Sequence, residues 1–194
     1  MLRIRFSIRG LRELGWFALR ASLLLLLFCN PAWALSGTEC IEVCESGSEL
    51  EFRAMLDAHP MTELYRVRSE GGRGLMHLAL HREEYFWKAL IEHGWPLDRE
   101  KGWTPLHEAA LLGIAPVVPQ YKEKGANLAT PEPYNGGTAL HIAAFNGHFE
   151  VVRQLVRAGA SVNLKDKEGW TALAQAQDQG YPKIVDWLKK NGAK

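Results

Sequence analysis

Histidine and cysteine are the residues of this chain with the greatest capacity for chemistry. His77, His107 and His141 recur once in each of three similar sequence blocks, and a column of imidazoles is a potential metal site. Stacked helical units lie about 10 Å apart, however, whereas the nitrogens that bind one tetrahedral ion lie no more than about 4 Å apart. The spacing therefore favours a structural role for these histidines, and we expect no metal ligand and no cofactor.

Motifs that assemble a catalytic site are missing from the sequence. It contains no G-x-S-x-G, no H-E-x-x-H and no glycine-rich phosphate loop, and the glycines at 71–74 are better explained as a turn. Carboxylates such as Glu83, Glu84 and Glu100 fall at predicted surface positions. We therefore expect no catalytic residue and no enzymatic activity.

The first 34 residues have the pattern of an export signal. Five arginines accompany a short apolar run, and an Ala-Trp-Ala sequence ending at Ala34 has the small-x-small pattern that signal peptidase reads. We predict a Sec-type signal peptide over residues 1–34, cleaved before Leu35, and a periplasmic location. The alternative is an uncleaved N-terminal anchor over residues 16–35, although the apolar run is about half of the roughly 20 residues that span a bilayer.

Cleavage would change the charge balance of the chain. The whole sequence carries 23 basic and 22 acidic residues, whereas residues 35–194 carry 18 basic and 21 acidic residues, a net charge of −3. A mildly acidic chain offers no basic stripe for phosphates. We therefore expect no nucleic-acid partner and no stable membrane insertion after cleavage.

Cys40 and Cys44 are the two cysteines that would remain after export. An even pair in an oxidising compartment predicts a disulfide, and closing so short a loop would contribute roughly 2 kcal/mol. Such a bridge is tight in a helix, so we expect a turn there. Two free thiols, or a redox or metal role, are the alternatives; the spacing is not C-x-x-C, and Glu45 rather than histidine follows Cys44.

A short block recurs along the second half of the chain. Its copies read GWTPLHEAALLG, GGTALHIAAFNGH and GWTALAQAQDQG, and a weaker copy, RGLMHLAL, begins at Arg73. Thr104, Thr138 and Thr171 hold the same place in the block, 34 and then 33 residues apart. A fixed period of this size is typical of stacked supersecondary units. Threonine can cap a short helix, glycine can end it, and a second apolar helix follows, so we predict an all-α repeat solenoid.

The order T-x-L-H-x-A-A-x-x-G, followed by V-V-x-x-L-x-x-x-G-A, closely resembles the ankyrin repeat family over about residues 72–194. The resemblance implies helix pairs with β-hairpin fingers, motif histidines that bond the backbone of neighbouring loops, and binding of macromolecules through fingertips and inner helices without catalysis. The expected segments are a linker with Cys40 and Cys44 (35–48), an N-terminal cap (49–71), repeats (about 72–101, 102–135 and 136–168) and a C-terminal cap (169–194).

The copy that begins at Gly102 departs from the others. Pro119 falls inside its second helix and should kink any helix longer than one turn. Tyr121 stands at the core position that Leu155 holds in the next copy, and one extra residue before Thr138 predicts a distinctive fingertip.

Side chains on the predicted inner helices and fingertips are the candidate partner contacts. Trp103 and Trp170 precede the motif threonines and are either exposed anchors or packed on the adjacent finger. The leucines at 111 and 112, with Ile142 and Phe145, would form an apolar patch larger than solubility alone favours, unless the next helix covers them in part. The predicted contacts are Trp103, Glu108, Leu111, Leu112, Tyr134, Asn135, Ile142, Phe145 and Trp170.

The function expected from this sequence is binding of a partner protein by the concave face and fingertips. One role is an inhibitor or immunity protein that acts on a secreted toxin or effector. The alternatives are an accessory protein that supports a periplasmic stress enzyme such as catalase, or a structural adaptor of the envelope. The sequence leaves the oligomeric state open.

Overall fold

The computed structural model describes residues 37–64, 66, 75–97 and 102–194. The predicted signal peptide, its cleavage site between Ala34 and Leu35, the proposed turn at 71–74 and Glu100 all lie outside the described residues. None of the helices in the described ranges is long and apolar enough to cross a membrane.

The described ranges contain helices and one isolated antiparallel β-bridge, between Lys165 and Thr171. The helices are α1 (Gly37–Ser46), α2 (Glu49–Ala58), α3 (Met61–Leu64), α4 (Leu75–Leu80), α5 (Glu84–Glu92), α6 (Pro105–Leu112), α7 (Val117–Glu123), α8 (Ala139–Phe145), α9 (Phe149–Arg157), α10 (Ala172–Asp178) and α11 (Pro182–Lys190). This is the all-α repeat solenoid that the sequence predicts.

Helix pairs stack side by side in two layers. The inner layer runs α4, α6, α8 and α10, each packed on the next, and α7, α9 and α11 follow one another in the outer layer. Apolar side chains fill the space between the layers, because each pair alone would leave its face in water. In the third repeat these side chains are Leu140, Val151, Val152 and Leu155, each at most 1% exposed.

The inner helices begin and end as their sequences require. Thr104 precedes α6, and its hydroxyl accepts from the backbone N–H of His107; Thr171 does the same at α10 for Ala174. Gly113, with φ +78°, follows α6, and a β-carbon there would lie 2.8 Å from Nδ1 of His148. A glycine is therefore needed both for the positive φ and for the close approach of the next repeat.

The segment before the repeats differs from the prediction. Residues 35–48 were expected to be a linker, yet α1 occupies most of it and packs on α2 and α4 with Cys40, Ile41 and Cys44 buried. The structure therefore adds a further helix pair to the N-terminal end of the stack. Apolar residues spaced three and four apart give α1 a buried face, which explains the helix.

The structure also corrects the expectation of a turn and a disulfide at Cys40 and Cys44. Both are free, buried thiols within α1. Residues four apart on a helix have β-carbons about 5–6 Å apart, whereas a disulfide requires about 3.5–4.5 Å. The helix therefore keeps the two sulfurs from bonding, and Cys44 donates instead to the carbonyl of Leu75 at 3.6 Å.

Pro119 lies in the first turn of its helix, where proline is tolerated. It is the third residue of α7, which continues to Glu123. The first four N–H groups of a helix have no intrahelical partner, so a proline at this position removes no hydrogen bond. Tyr121 is fully buried, as the sequence predicts for a residue in the place of Leu155.

The C-terminal pair has the two unlike faces of a terminal repeat. Ile184 and Leu188 of α11 are buried, and Asp186, Lys189 and Lys190 are exposed. Charged residues on the outer face leave the end of the stack compatible with water.

Candidate partner-binding surface

The motif histidines tie two inner helices to loops that come later in the chain. Nδ1 of His141 accepts from the backbone N–H of Thr138 at 3.1 Å, and its Nε2 donates to the carbonyl of Leu164 at 3.0 Å. His107 makes the same pair of bonds, to Thr104 and to the carbonyl of Thr130. Burial lowers the pKa of His141, so the neutral ring holds helix and loop together. The predicted structural role is thus seen for these two histidines.

His77 is arranged differently. Its Nδ1 donates to Oε1 of Glu108 on α6 at 2.6 Å, and its ring lies 4.6 Å, centroid to centroid, from the ring of His81. Glu108 is buried, although it was predicted to contact a partner. This carboxylate joins α4 to α6.

Trp103 is half-buried and contacts residues of its own repeat, which neither of the two expected arrangements describes. Its indole N–H donates to Oε2 of Glu108 at 2.6 Å, and its ring lies 5.6 Å from that of His107. Trp170, at the equivalent place in the last repeat, is 39% exposed. Only the second tryptophan is therefore presented as an exposed ring.

Apolar side chains are exposed along the inner layer. Leu111 of α6 is 40% exposed and Phe145 of α8 is 50% exposed, whereas Leu112 and Ile142 are half-buried. The next helix thus covers Leu111 and Phe145 only in part. Leu111 and Phe145 are therefore exposed on successive inner helices.

A groove of about 310 Å³ lies between α8 and α10 and the loops that precede them. This inner groove is lined by Ile142 and Phe145 from α8, Gln175 and Asp178 from α10, and Glu168 and Trp170 from the intervening loop. Its exposed charges, Glu168 and Asp178, are both negative. A groove that exposes Phe145 and Trp170 beside an acidic rim suits a segment that carries apolar and basic side chains.

Asp166 shapes the loop at one side of the inner groove. One carboxylate oxygen accepts from the backbone N–H groups of Glu168 and Trp170, at 3.0 and 2.8 Å, and the other accepts from the amide of Gln175 at 3.1 Å. Asp166 is 8% exposed. Its hydrogen bonds hold the loop backbone at Trp170.

The preceding fingertip (residues 132–137) repeats this design with one residue more. Glu132 takes the place of Asp166, and its carboxylate accepts from the N–H groups of Tyr134 and Asn135 at 2.8 and 2.6 Å. The N–H of Glu132 donates to the carbonyl of Gly137, five residues on, whereas that of Asp166 donates to Trp170, four residues on. The extra residue expected before Thr138 therefore lies at the tip.

Neighbouring fingertips are tied together. Lys167 donates its backbone N–H to the carbonyl of Asn135 at 2.8 Å, and its ammonium group donates to the carbonyls of Pro133 and Tyr134. Of the two predicted tip contacts, Asn135 is engaged within the loop, and the Tyr134 side chain is 82% exposed. Tyr134 thus stands out from a tip with a fixed backbone.

Sequence reasoning missed Glu132, Asp166 and Glu168 as parts of this surface. The repeat spacing places Glu132 and Asp166 at equivalent positions 34 residues apart, which was a usable signal. Glu168 lines the groove from the turn that Asp166 holds.

Comparison with known proteins agrees with the geometry. Residues 114–194 match the family model "Ankyrin repeats (3 copies)". The chain is 52% identical over 57 residues to protein phosphatase 1 regulatory subunit 12A of Mus musculus (29% of this chain, 6% of that protein). It is 40% identical over 72 residues to protein phosphatase 1 regulatory subunit 27 of Homo sapiens (37% and 46%). It is 31% identical over 123 residues to the E3 ubiquitin-protein ligase XBAT32 of Arabidopsis thaliana (62% and 24%).

The chain spans less than half the length of each of these relatives. The similarity therefore concerns the repeats.

Proposed function

Because residues 114–194 match the family model for ankyrin repeats, we propose that this chain binds a partner protein at the inner groove. The observation that carries the proposal is the exposure of Phe145 and Trp170, 50% and 39%, beside the acidic rim. Large aromatic side chains on a rigid scaffold commonly supply most of the binding energy of an interface. The partner segment that fits this surface is extended or helical, with apolar side chains for the groove and lysine or arginine for Glu168 and Asp178.

The test begins with the purified chain and a library of short random peptides. Selection on the wild-type chain should enrich peptides that combine basic and large apolar residues. The Phe145→Ala variant should then lose about 2 kcal/mol or more of affinity, roughly 30-fold, with little change in melting temperature because the ring is half exposed.

Leu50→Ala is the matched control, since Leu50 is 59% exposed on α2, away from the inner groove. It should leave peptide affinity unchanged. Equal losses in both variants, or enrichment of acidic peptides, would contradict the proposal.

We propose further that the chain acts after export to the periplasm. The arginine-rich, leucine-rich segment before Ala34 supports this proposal. In cell fractionation the chain should be recovered from the periplasm with Leu35 as its first residue. An Ala34→Leu variant, which loses the small residue that signal peptidase requires, should keep its full length; a cytoplasmic wild-type chain that begins at Met1 would refute export.

The partner that we propose within that compartment is a secreted toxin, which the chain would inhibit. A periplasmic enzyme such as catalase, or a component of the envelope, is the alternative. Capture of the partner with the wild-type chain but not with Phe145→Ala, followed by an activity assay of the captured protein, separates these roles. Loss of toxin activity on binding supports inhibition, whereas a rise in enzyme stability supports the accessory role.

A further inference from the structure

One group of side chains on the concave surface has the composition of a metal site and is not explained by partner binding. His77, His81 and Glu108 each offer a ligand atom, and these atoms lie within 4.8 Å of one another. His77 belongs to α4, His81 follows the last residue of that helix, and Glu108 belongs to α6. Because residues four apart share a helix face, both imidazoles are turned to the same side.

We propose that these three side chains bind a Zn²⁺ ion. Two imidazole nitrogens and one carboxylate oxygen are a ligand set that zinc uses, with water in the fourth position. Ligand atoms about 2.0–2.1 Å from one ion are separated by about 3.4 Å. Nδ1 of His77 and Oε1 of Glu108, now 2.6 Å apart, would separate by about 0.8 Å to admit the ion. Rotation of the exposed His81 side chain would bring its ring nitrogen to the same ion.

A hydrogen bond from Trp103 orients Glu108 for metal binding. Trp103 donates its indole N–H to Oε2 at 2.6 Å, which leaves Oε1 directed at His77. Carboxylates that bind metals are generally held by such an outer hydrogen bond. The indole therefore fixes which oxygen faces the imidazoles.

The ion can reach its ligands from the concave side. The side chains of His77 and Glu108 are 25% and 12% exposed, and His81 is exposed. Zn²⁺ would take the position of the proton that Nδ1 of His77 now donates to Glu108, and the neutral ring would carry its proton on Nε2 instead. Bound zinc would link α4 to α6 and so join the first repeat to the second.

The test uses the untagged full chain after treatment with a chelator. Titration with ZnCl₂ in a calorimeter should show one ion bound per chain, and the melting temperature should rise with zinc concentration, because a ligand of the folded state stabilises it. His81→Ala should weaken binding by at least about 100-fold, since loss of an outer partner alone costs 10–100-fold. Trp103→Phe, which removes only that outer partner, should weaken it by about 10–100-fold.

Two further variants decide whether the site is the one described. Glu108→Gln keeps an acceptor for Trp103 but loses the anionic ligand, and it too should weaken binding strongly. His93→Ala removes an exposed histidine at the end of α5 and should bind zinc as the wild type does. Absence of binding to the wild-type chain would overturn the proposal. So would an affinity equal to that of the wild type in His81→Ala and Glu108→Gln.

Discussion

The motif histidines show how one neighbouring residue decides what an imidazole does. Where threonine stands three residues earlier, as Thr104 and Thr138 do, its N–H donates to Nδ1 of the ring. In the first copy Gly74 takes the place of threonine in the sequence, and Nδ1 of His77 faces Glu108 instead. Loss of one cap residue is thus associated with a ring that has a different partner.

The buried state of His141 should make stability depend on pH. Burial lowers its pKa from 6.5 in the folded chain. As the pH falls below 6.5, the unfolded chain takes up a proton that the folded chain resists, so the free energy of unfolding decreases until the pH passes the lowered value. Above 6.5 the ring is neutral in both states, and its contribution is constant.

Urea unfolding of the wild type and of His141→Gln, above and below pH 6.5, checks this prediction. The amide can donate to the carbonyl of Leu164 but does not titrate, so the variant should lose about 1 kcal/mol at the higher pH and show a flatter pH profile. His93→Gln, at an exposed histidine, should follow the wild type. Parallel profiles for all three chains would contradict the assignment.

At the scale of single residues, the sequence predicted the role of a side chain better than the hydrogen bonds that it makes. It predicted the structural role of His107 and the core position of Tyr121 correctly, because the repeat register assigns each position to the core, the cap or the exposed face. It did not predict the bonds of Trp103 and Glu108, since these depend on how two neighbouring copies differ. Both side chains stand at positions that vary from repeat to repeat.

At the scale of elements, α1 is the clearest addition of the structure to the sequence. Its buried face carries Cys40, Ile41 and Cys44, and Arg82 donates to the carbonyls of Cys44 and Gly47 at its end. No copy of the repeat motif covers this segment, so periodicity gave no sign of it. An even number of cysteines in an oxidising compartment suggested a disulfide. The helix that separates the two thiols was not predicted.

The thiols of α1 should react slowly in the folded chain. Burial raises the pKa of Cys40 to about 11 and that of Cys44 to about 12. Alkylating agents attack the thiolate, so the peptide that contains these residues should remain unlabelled in native buffer at neutral pH. It should be labelled quickly in urea.

Mass spectrometry of the digested chain gives the readout. The control is Glu45→Cys, which adds a thiol at an exposed position of α1 and should be labelled without denaturant. A native peptide that resists alkylation in urea until a reductant is added would show that Cys40 and Cys44 are bridged.

At the scale of the whole molecule, stability comes from contacts between neighbouring repeats. Each inner helix packs on the helix before and after it, and side chains that close one repeat belong to the next, as Tyr181 does beside Gly147. The sequence predicted this architecture because the period alone specifies stacking. It could not give the number of helix pairs, since the N-terminal pair lacks the motif.

Removal of residues 169–194 should destabilise the rest of the stack. Leu173, Ile184 and Leu188 are at most 6% exposed, and their burial contributes about 5 kcal/mol or more at 1.5–3 kcal/mol each. The truncated chain should unfold at lower urea concentration and with a broader transition. Removal of residues 191–194, which lie beyond α11, is the control and should have a small effect; equal stability of all three chains would contradict nearest-neighbour stacking.

The concave face carries one side chain at the same place in four successive repeats, and these side chains change in character along the stack. His81, Leu111, Phe145 and Asp178 pass from imidazole through two hydrocarbons to a carboxylate. A partner segment bound along this row would contact an imidazole at one end and a carboxylate at the other. Reversing the segment would place its charged side chains beside the wrong residues. The row therefore gives binding a direction, and a partner sequence read backwards should be rejected even though its composition is identical.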